Sequence, residues 1–271
     1  MKIFGLIGEK LGHSMSPYIH NKIFNHNKIN GVYNLFSVSQ KNKNNIVESL
    51  KNLGISGCNV TIPYKEVVME QLDFISEEAK KIGSVNTILL SDGKAYGYNT
   101  DYYGFGKMLE RKDVKTHGNS FFVLGAGGAS RSVLKYLEDN GAKKIVLVSR
   151  DKEKAKRRFK NFNVDFMGYD ELNSIEKEFA IINTTPCGMY PNVDTMAISR
   201  EVLKKFNVAI DIVYNPLETK FLKNGKELGL KTVNGLFMLV GQGVKANEIW
   251  NGIKVEKSTE EEIYNELKKR F

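Results

Sequence analysis

Apolar and polar positions alternate with changing period along the chain, and the first hundred residues mix strand and helix patterns. "KIFGLIG" (2–8) and "GVYNLFSV" (31–38) are short apolar, β-prone runs and predict strands, with a helix from about Pro17 to Asn27 between them. In "SQKNKNNIVESLKNLG" (39–54) Ile46, Leu50 and Leu53 recur at helical spacing, so the Lys and Asn residues there cover a solvated face. "GCNVTI" (57–62) predicts a third strand. "SVNTILLSDGKAYGYNTD" (84–101) predicts a hairpin, with Asp92-Gly93 supplying the two positive-φ residues of its turn. Counting outward from that turn pairs Ser91 with Lys94 and sets Asn86 opposite Asn99, which gathers Asn86, Asn99 and Asp101 at one end.

From "SFFVLGAGGASRSVLKYLEDNGAKKIVLVSR" (120–150) the pattern becomes strand, glycine-rich turn, helix, strand. Val133, Leu134 and Leu137 share one helical face, and Asn140-Gly141 stop that helix. Two more apolar strands follow in "FAIINTT" (179–185) and "VAIDIVYN" (208–215), with helical segments between. Such repetition predicts a parallel, doubly wound sheet. "GLFMLVGQGVKANEIW" (235–250) reads as an apolar helix, and a final helix is expected to open on a capping box of Ser258 and Glu261. These last helices follow a completed sheet and are expected to return to the first domain.

The 271 residues suffice for two domains, and 41% hydrophobic against 26% charged residues is an ordinary globular balance. No apolar run is long enough to cross a bilayer, and the N-terminus lacks a signal-peptide pattern, so the cytoplasm is the expected compartment and no membrane partner is expected. Cys58 and Cys187 offer neither a disulfide framework nor zinc spacing and read as small core residues. The net charge of +9 raises nucleic acid as a partner, but the lysines are scattered rather than gathered into one arm, so none is expected. His13 and His20 lack Cys or His partners at ligand spacing; they read as structural or loop residues, and no metal is expected.

Gly125, Gly127 and Gly128 lie between a strand and a helix, where backbone N–H groups and the helix N-terminus can hold a pyrophosphate. The third glycine of the usual fingerprint is Ser130. At the end of the next strand, where an NAD enzyme carries a carboxylate for the ribose, the chain reads Ser149-Arg150, with Lys154 one turn on. A guanidinium pairs with a 2′-phosphate that a carboxylate would repel, so NADP is favoured over NAD, although Asp151 is adjacent.

The ordered set "HSMSP" (13–17), "NVTIPYK" (59–65), "SVNT" with "NTDYYG" (84–104), "GAGGASR" (125–131) and "NGLFMLVGQ" (234–242) resembles the shikimate dehydrogenases, and "INTTPCGM" (182–189) and "DIVYNPLET" (211–219) fit the same family. Lys10, where many members have proline, and Ser149, where NADP-preferring members commonly have Asn, depart from its pattern. The resemblance implies an α/β fold: an N-terminal substrate domain with a mixed sheet (1–101 plus 236–271) and a Rossmann-like NADP-binding domain with a doubly wound parallel sheet (102–235). It implies reversible, NADPH-dependent reduction of 3-dehydroshikimate to shikimate, in aromatic amino-acid biosynthesis, by a monomer or homodimer.

Ser14 and Ser16 are two residues apart and face the same side if that segment is extended, with Ser16 also capping the helix after it; the resemblance makes them donors to the substrate carboxylate. Asn59, Thr61, Lys65, Asn86 and Asp101 resemble ring-hydroxyl contacts, and Tyr214 and Gln242 further substrate contacts. Gly125, Ala126, Gly127, Gly128, Ala129, Ser149, Arg150, Lys154, Thr184, Gly235 and Met238 fall at cofactor positions. Lys65 and Asp101 form the expected catalytic pair: an ammonium stabilises charge developing on a reduced ketone and delivers a proton, and a carboxylate beside it favours the charged lysine. Alternatives are a quinate/shikimate or aminoshikimate dehydrogenase, and a non-catalytic NADP-binding regulator on the same fold.

Overall fold

The computed structural model describes residues 1–12 and 14–271. It divides into two compact units, Met1–Gly104 with Val240–Asn265, and Phe105–Leu239 with Glu266–Phe271. Among the described residues no helix is long and apolar enough to cross a membrane.

Among the described residues the first unit holds six strands: β1 (Lys2–Gly8), β2 (Gly31–Ser37), β3 (Gly57–Val60), β4 (Phe74–Ile75), β5 (Thr87–Ser91) and β6 (Lys94–Tyr98). Their spatial order is β2-β1-β3-β5-β6-β4. β1 pairs in parallel with β2 and β3, whereas β3–β5 and β5–β6 are antiparallel, so the sheet is mixed. The hairpin register is the one counted from the sequence: Ser91 faces Lys94 and Thr87 faces Tyr98, and Asn86 N–H then donates to Tyr98 O across 3.0 Å. Asp92 and Gly93 both take positive φ (52° and 73°), as a two-residue hairpin turn requires.

Phe4, Phe24, Tyr33 and Trp250 form one buried cluster of this unit, and Val60, Tyr64, Val68 and Ile88 belong to another. Helix Leu236–Asn251 reaches the sheet through Trp250, whose Nε1 donates to Ile88 O (2.9 Å). A Cβ on Gly57 would stand 2.5 Å from that indole, so glycine is what allows the approach.

The second unit holds β7 (Ser120–Leu124), β8 (Lys144–Val148), β9 (Asp165–Met167), β10 (Glu178–Asn183), β11 (Phe206–Asp211) and β12 (Lys231–Val233). All pairings are parallel, in the order β12-β11-β10-β7-β8-β9. Strand order therefore reverses between β7 and β10, the place in a doubly wound sheet where loops leave in opposite directions and a ligand crevice opens. Phe122, Leu124, Val146, Val148, Ile181 and Ala209 are buried on this sheet, which explains why its strands read as continuous apolar runs.

Three local expectations need correction. The last helix begins at Lys257, one residue before Ser258, whose hydroxyl donates to Glu256 (3.2 Å), so Ser258 is not the N-cap of a capping box. The segment between the two serines is not extended: Met15 is helical (φ −83°, ψ −4°), and the Ser16 N–H donates to Ser14 Oγ (3.2 Å). The hydroxyl serving the helix start is thus that of Ser14, while Ser16 is the first helical residue of Ser16–His26. Of the returning segment 236–271, Leu236–Leu239 and Glu266–Phe271 group with the second unit rather than the first.

Candidate active site

In the first unit, the ladder of β3 runs one residue past its end, because Thr61 N–H still donates to Ile7 O (2.8 Å). Tyr64 is fully buried and its hydroxyl donates to Val38 O (2.6 Å), while Lys65 O accepts from Val85 N–H (2.9 Å). The turn after Pro63 is thus anchored on both sides of the lysine. Lys65 Nζ donates to Asp101 Oδ2 at 2.6 Å, with the two side chains 21% and 15% exposed. A pair that short and mostly desolvated holds the ammonium in one place, which exposed lysines lack.

Asp101 stands in the first turn of helix Thr100–Arg111, so the helix start also orients it. Asn86 is tied to the same turn: its Oδ1 accepts from Thr100 N–H (2.7 Å). The hydroxyls of Thr87 and Thr100 lie 3.1 Å and 3.2 Å from that oxygen. Asn99 Nδ2 instead donates to Ser84 O and Oγ, each at 3.0 Å, and is structural. Asn59 is buried and accepts from the Tyr33 hydroxyl (2.8 Å). The structure therefore brings Lys65, Asp101, Asn86 and Asn59 into one polar region at the end of β3 and β5. Gln242 is half-buried on helix Leu236–Asn251, in the part belonging to this unit.

His13 lies outside the described residues. His20 is fully buried, its ring stacked on Tyr33 with centroids 4.1 Å apart, and burial pulls its pKa down to about 3. A neutral, stacked imidazole has a structural role. Burial also pushes the Cys58 thiol up, which leaves it inert as a nucleophile.

In the second unit, Gly125 follows β7 with φ +99°, and a Cβ there would meet Thr185 Cγ2 at 2.7 Å. At Gly127 and Gly128 a Cβ would meet nothing within 4 Å, so the turn is bare backbone facing open space. Gly127 is the N-cap of helix Gly128–Asp139, whose first N–H groups are free of side-chain caps. That is a cradle suited to a pyrophosphate. Ser130 is fully buried and donates from Oγ to Gly127 O (2.7 Å), so the residue in place of the third glycine ties the turn to its helix. Thr184, at the end of β10, donates to Leu124 O (2.7 Å), which sets it beside the glycine turn at the point where strand order reverses. Ala126 and Ala129 line the same turn, half-buried.

Arg150 and Lys154 are exposed after β8. The Asp151 carboxylate accepts from Lys154 N–H (2.9 Å) and caps helix Lys152–Arg158, and Ser149 Oγ donates to Asp151 O (3.1 Å). One oxygen of the Asp151 carboxylate is thereby engaged with the start of its own helix. Gly235 approaches β11's exit so closely that a Cβ would stand 2.0 Å from Ile212 O. Met238 is buried in the same unit. Tyr214 is also in this unit; its ring packs on Phe271 (5.5 Å), and burial raises its pKa.

Sequence reasoning missed Asp211, which is fully buried and accepts from Asn183 Nδ2 (3.0 Å), Val213 N–H (3.0 Å) and Thr219 Oγ1 (2.7 Å). It binds the loop carrying Thr184 to the loop carrying Tyr214. A carboxylate inside the apolar run "VAIDIVYN" was the available signal, since a buried charge needs partners. Tyr33 and Thr87, also missed, gave no such signal, because both types are common in strands.

Two family profiles match: the shikimate dehydrogenase substrate binding domain over residues 6–88, and shikimate / quinate 5-dehydrogenase over residues 107–216. The chain is 75% identical over 271 residues, covering 100% of both sequences, to a shikimate dehydrogenase (NADP(+)) of Clostridium perfringens (strain 13 / Type A). Among solved structures, a chorismate mutase/shikimate 5-dehydrogenase fusion protein from Clostridium acetobutylicum matches with TM-score 0.95 and 48% identity, over 99% of this chain and 98% of that one. A shikimate 5-dehydrogenase from Thermus thermophilus, in complex with NADP(H) and shikimate, matches with TM-score 0.89 and 30% identity, over 98% and 99%. The chain belongs to the shikimate dehydrogenase family.

Proposed function

We propose that this chain is an NADP-dependent shikimate dehydrogenase that reversibly reduces 3-dehydroshikimate to shikimate in the shikimate pathway. The observation that carries the reading is the 2.6 Å Lys65–Asp101 pair beside Asn86. Its family frame is the 75% identity to an enzyme of that name. We read the first unit as the substrate domain and the second as the dinucleotide domain.

In the reducing direction Lys65 Nζ–H donates to the substrate ketone oxygen, stabilises the negative charge that grows there and gives up its proton. Asp101 holds the Lys65 amine in place and aims it; in the oxidising direction the same amine takes the hydroxyl proton back. Asn86 and Thr61 contact ring hydroxyls, and the Ser14 and Ser16 hydroxyls donate to the carboxylate. The Gly125–Ala129 turn fits a dinucleotide, with the Arg150 guanidinium and Lys154 placed for a 2′-phosphate. NADPH, when bound, supplies the hydride. The enzyme works in the cytoplasm as a monomer or homodimer and binds neither nucleic acid nor membrane.

Purified protein is expected to reduce NADP in the presence of shikimate, with kcat/KM well above that for quinate and for either substrate with NAD. Tight NADPH binding with no turnover on any of these would favour a non-catalytic regulator. The second family profile covers both substrates by name, and quinate matching shikimate in kcat/KM would identify a quinate/shikimate enzyme.

A further inference from the structure

The Asn59 carboxamide has two N–H donors, and both are taken: Nδ2 donates to Asn86 O (3.2 Å) and to Thr87 Oγ1 (3.0 Å). Its Oδ1 accepts from the Tyr33 hydroxyl (2.8 Å). The residue is 4% exposed. Asn59 therefore has no proton left to offer a ligand.

Asn86 is bonded the opposite way. Its Oδ1 takes the Thr100 N–H and lies within reach of two threonine hydroxyls, while its Nδ2 meets no acceptor among the described residues. The oxygen and nitrogen ends of a carboxamide are nearly equal in size, so only its partners decide which end faces a ligand. Those partners form one continuous set. Tyr33 fixes Asn59, Asn59 holds the Asn86 backbone and the Thr87 hydroxyl, and the Thr87 and Thr100 hydroxyls, 3.1 Å apart, stand against Asn86 Oδ1. The Tyr33 ring is itself fixed, parallel to His20 within 4°, and His20 is held by Asn247 across 2.7 Å.

We propose that Tyr33, Asn59 and Thr87 are positioning residues, which hold Asn86 with its carboxamide N–H groups presented to a substrate hydroxyl, and that Asn59 acts through Asn86 rather than on the substrate. This rests on reading the polar region of the first unit as the substrate site. It assigns Asn59 a different role from the direct contact that the family resemblance implies. Thr100, next to Asp101, ends the set, so the same network backs the turn that carries the catalytic carboxylate.

Tyr33→Phe tests it, because the ring and its stack on His20 remain while the hydroxyl goes. The expected result is a ~10-fold rise in KM for shikimate, the scale of one lost buried hydrogen bond, with kcat within about threefold and KM for NADP unchanged. In an Asn86→Ala background the same change is expected to shift KM by less than about twofold, because the residue it positions is gone. Thr87→Val is expected to behave like Tyr33→Phe and serves if that variant does not fold. Equal shifts in both backgrounds, or no shift in KM for Tyr33→Phe, would overturn the inference while leaving the enzyme reading intact. Absence of shikimate turnover by the unmodified protein would fell the enzyme reading and this inference with it.

Discussion

The two units make their polar sites from different materials. In the first, the proposed site is made of side chains at the ends of β3 and β5, each held by another side chain: Lys65 by Asp101, and Asn86 by the Thr100 and Thr87 hydroxyls, behind which Tyr33 holds Asn59. In the second, the proposed cradle is peptide backbone: a Cβ on Gly125 would meet Thr185, and Gly127 and Gly128 leave the turn open. A side-chain site loses function when single atoms are removed. A backbone site tolerates loss of side chains and is sensitive to added ones, except where a charge must be met. The sharpest way to break this contrast is Lys65→Ala, expected to lower kcat by on the order of 10²–10⁴, the contribution of a positioned acid–base group. NADP affinity, read by protein fluorescence, should stay unchanged. A variant with near-normal turnover would remove the lysine from proton transfer.

In the proposed reading, Arg150 is where the backbone site would depend on a side chain. It is exposed, and the Asp151 carboxylate beside it caps helix Lys152–Arg158 through one oxygen. Arg150→Gln is expected to raise KM for NADP roughly 10- to 100-fold, the value of a charge-assisted hydrogen bond, and to change KM for NAD little. Equal effects on both cofactors would mean that Arg150 contacts adenine or pyrophosphate instead of the 2′-phosphate.

Asp211 gives the second unit one side-chain network of the first unit's kind. Burial raises its pKa from the ordinary 3.8 to about 6, opposed by its three donors. With the folded-state value raised, the group's contribution to stability is complete below about 3.8 and is lost as pH rises through about 6. Asp211→Asn removes the titration at nearly constant shape. The wild type should therefore hold its largest advantage over the variant near pH 4 and lose about 3 kcal/mol of it at most by pH 7, followed by thermal melts. A difference that stays constant across that range would show that the carboxylate does not titrate there.

How far each region was legible follows from the same contrast. The glycine turn and the hairpin register were readable because they depend on local rules: positive φ at Asp92-Gly93 fixes the pairing, and counting then places Asn86. The partners of Asn86 and Asn59 were not readable, since Tyr33 and Thr87 come from separate strands and carry no mark of a buried bond in sequence. Strands of two or three residues, β4, β9 and β12, were missed because so short a run has no period. The Ser258 capping box failed through a two-residue offset, the usual error where several polar residues could each start a helix. A shared side for the serines at 14 and 16 requires an extended segment, and the turn at Met15 instead brings the Ser14 hydroxyl to the Ser16 backbone.

The smallest effect tests whether the backbone site is as indifferent to side chains as the contrast holds. Ser130 stands where the dinucleotide fingerprint usually has its third glycine, and Ser130→Gly would restore that pattern. Its hydroxyl donates to Gly127 O and it is fully buried inside helix Gly128–Asp139. Glycine at a helical position costs about 0.5–1 kcal/mol in backbone freedom, and the lost bond adds about 1 kcal/mol. Ser130→Gly is therefore expected to lower thermal stability by about 1–2 kcal/mol with KM for NADP unchanged within about twofold, since the N–H groups of Gly127 and Gly128 remain. A variant that binds NADP much more weakly at full stability would show that Ser130 shapes the phosphate cradle directly, and the second unit's site would then resemble the first's.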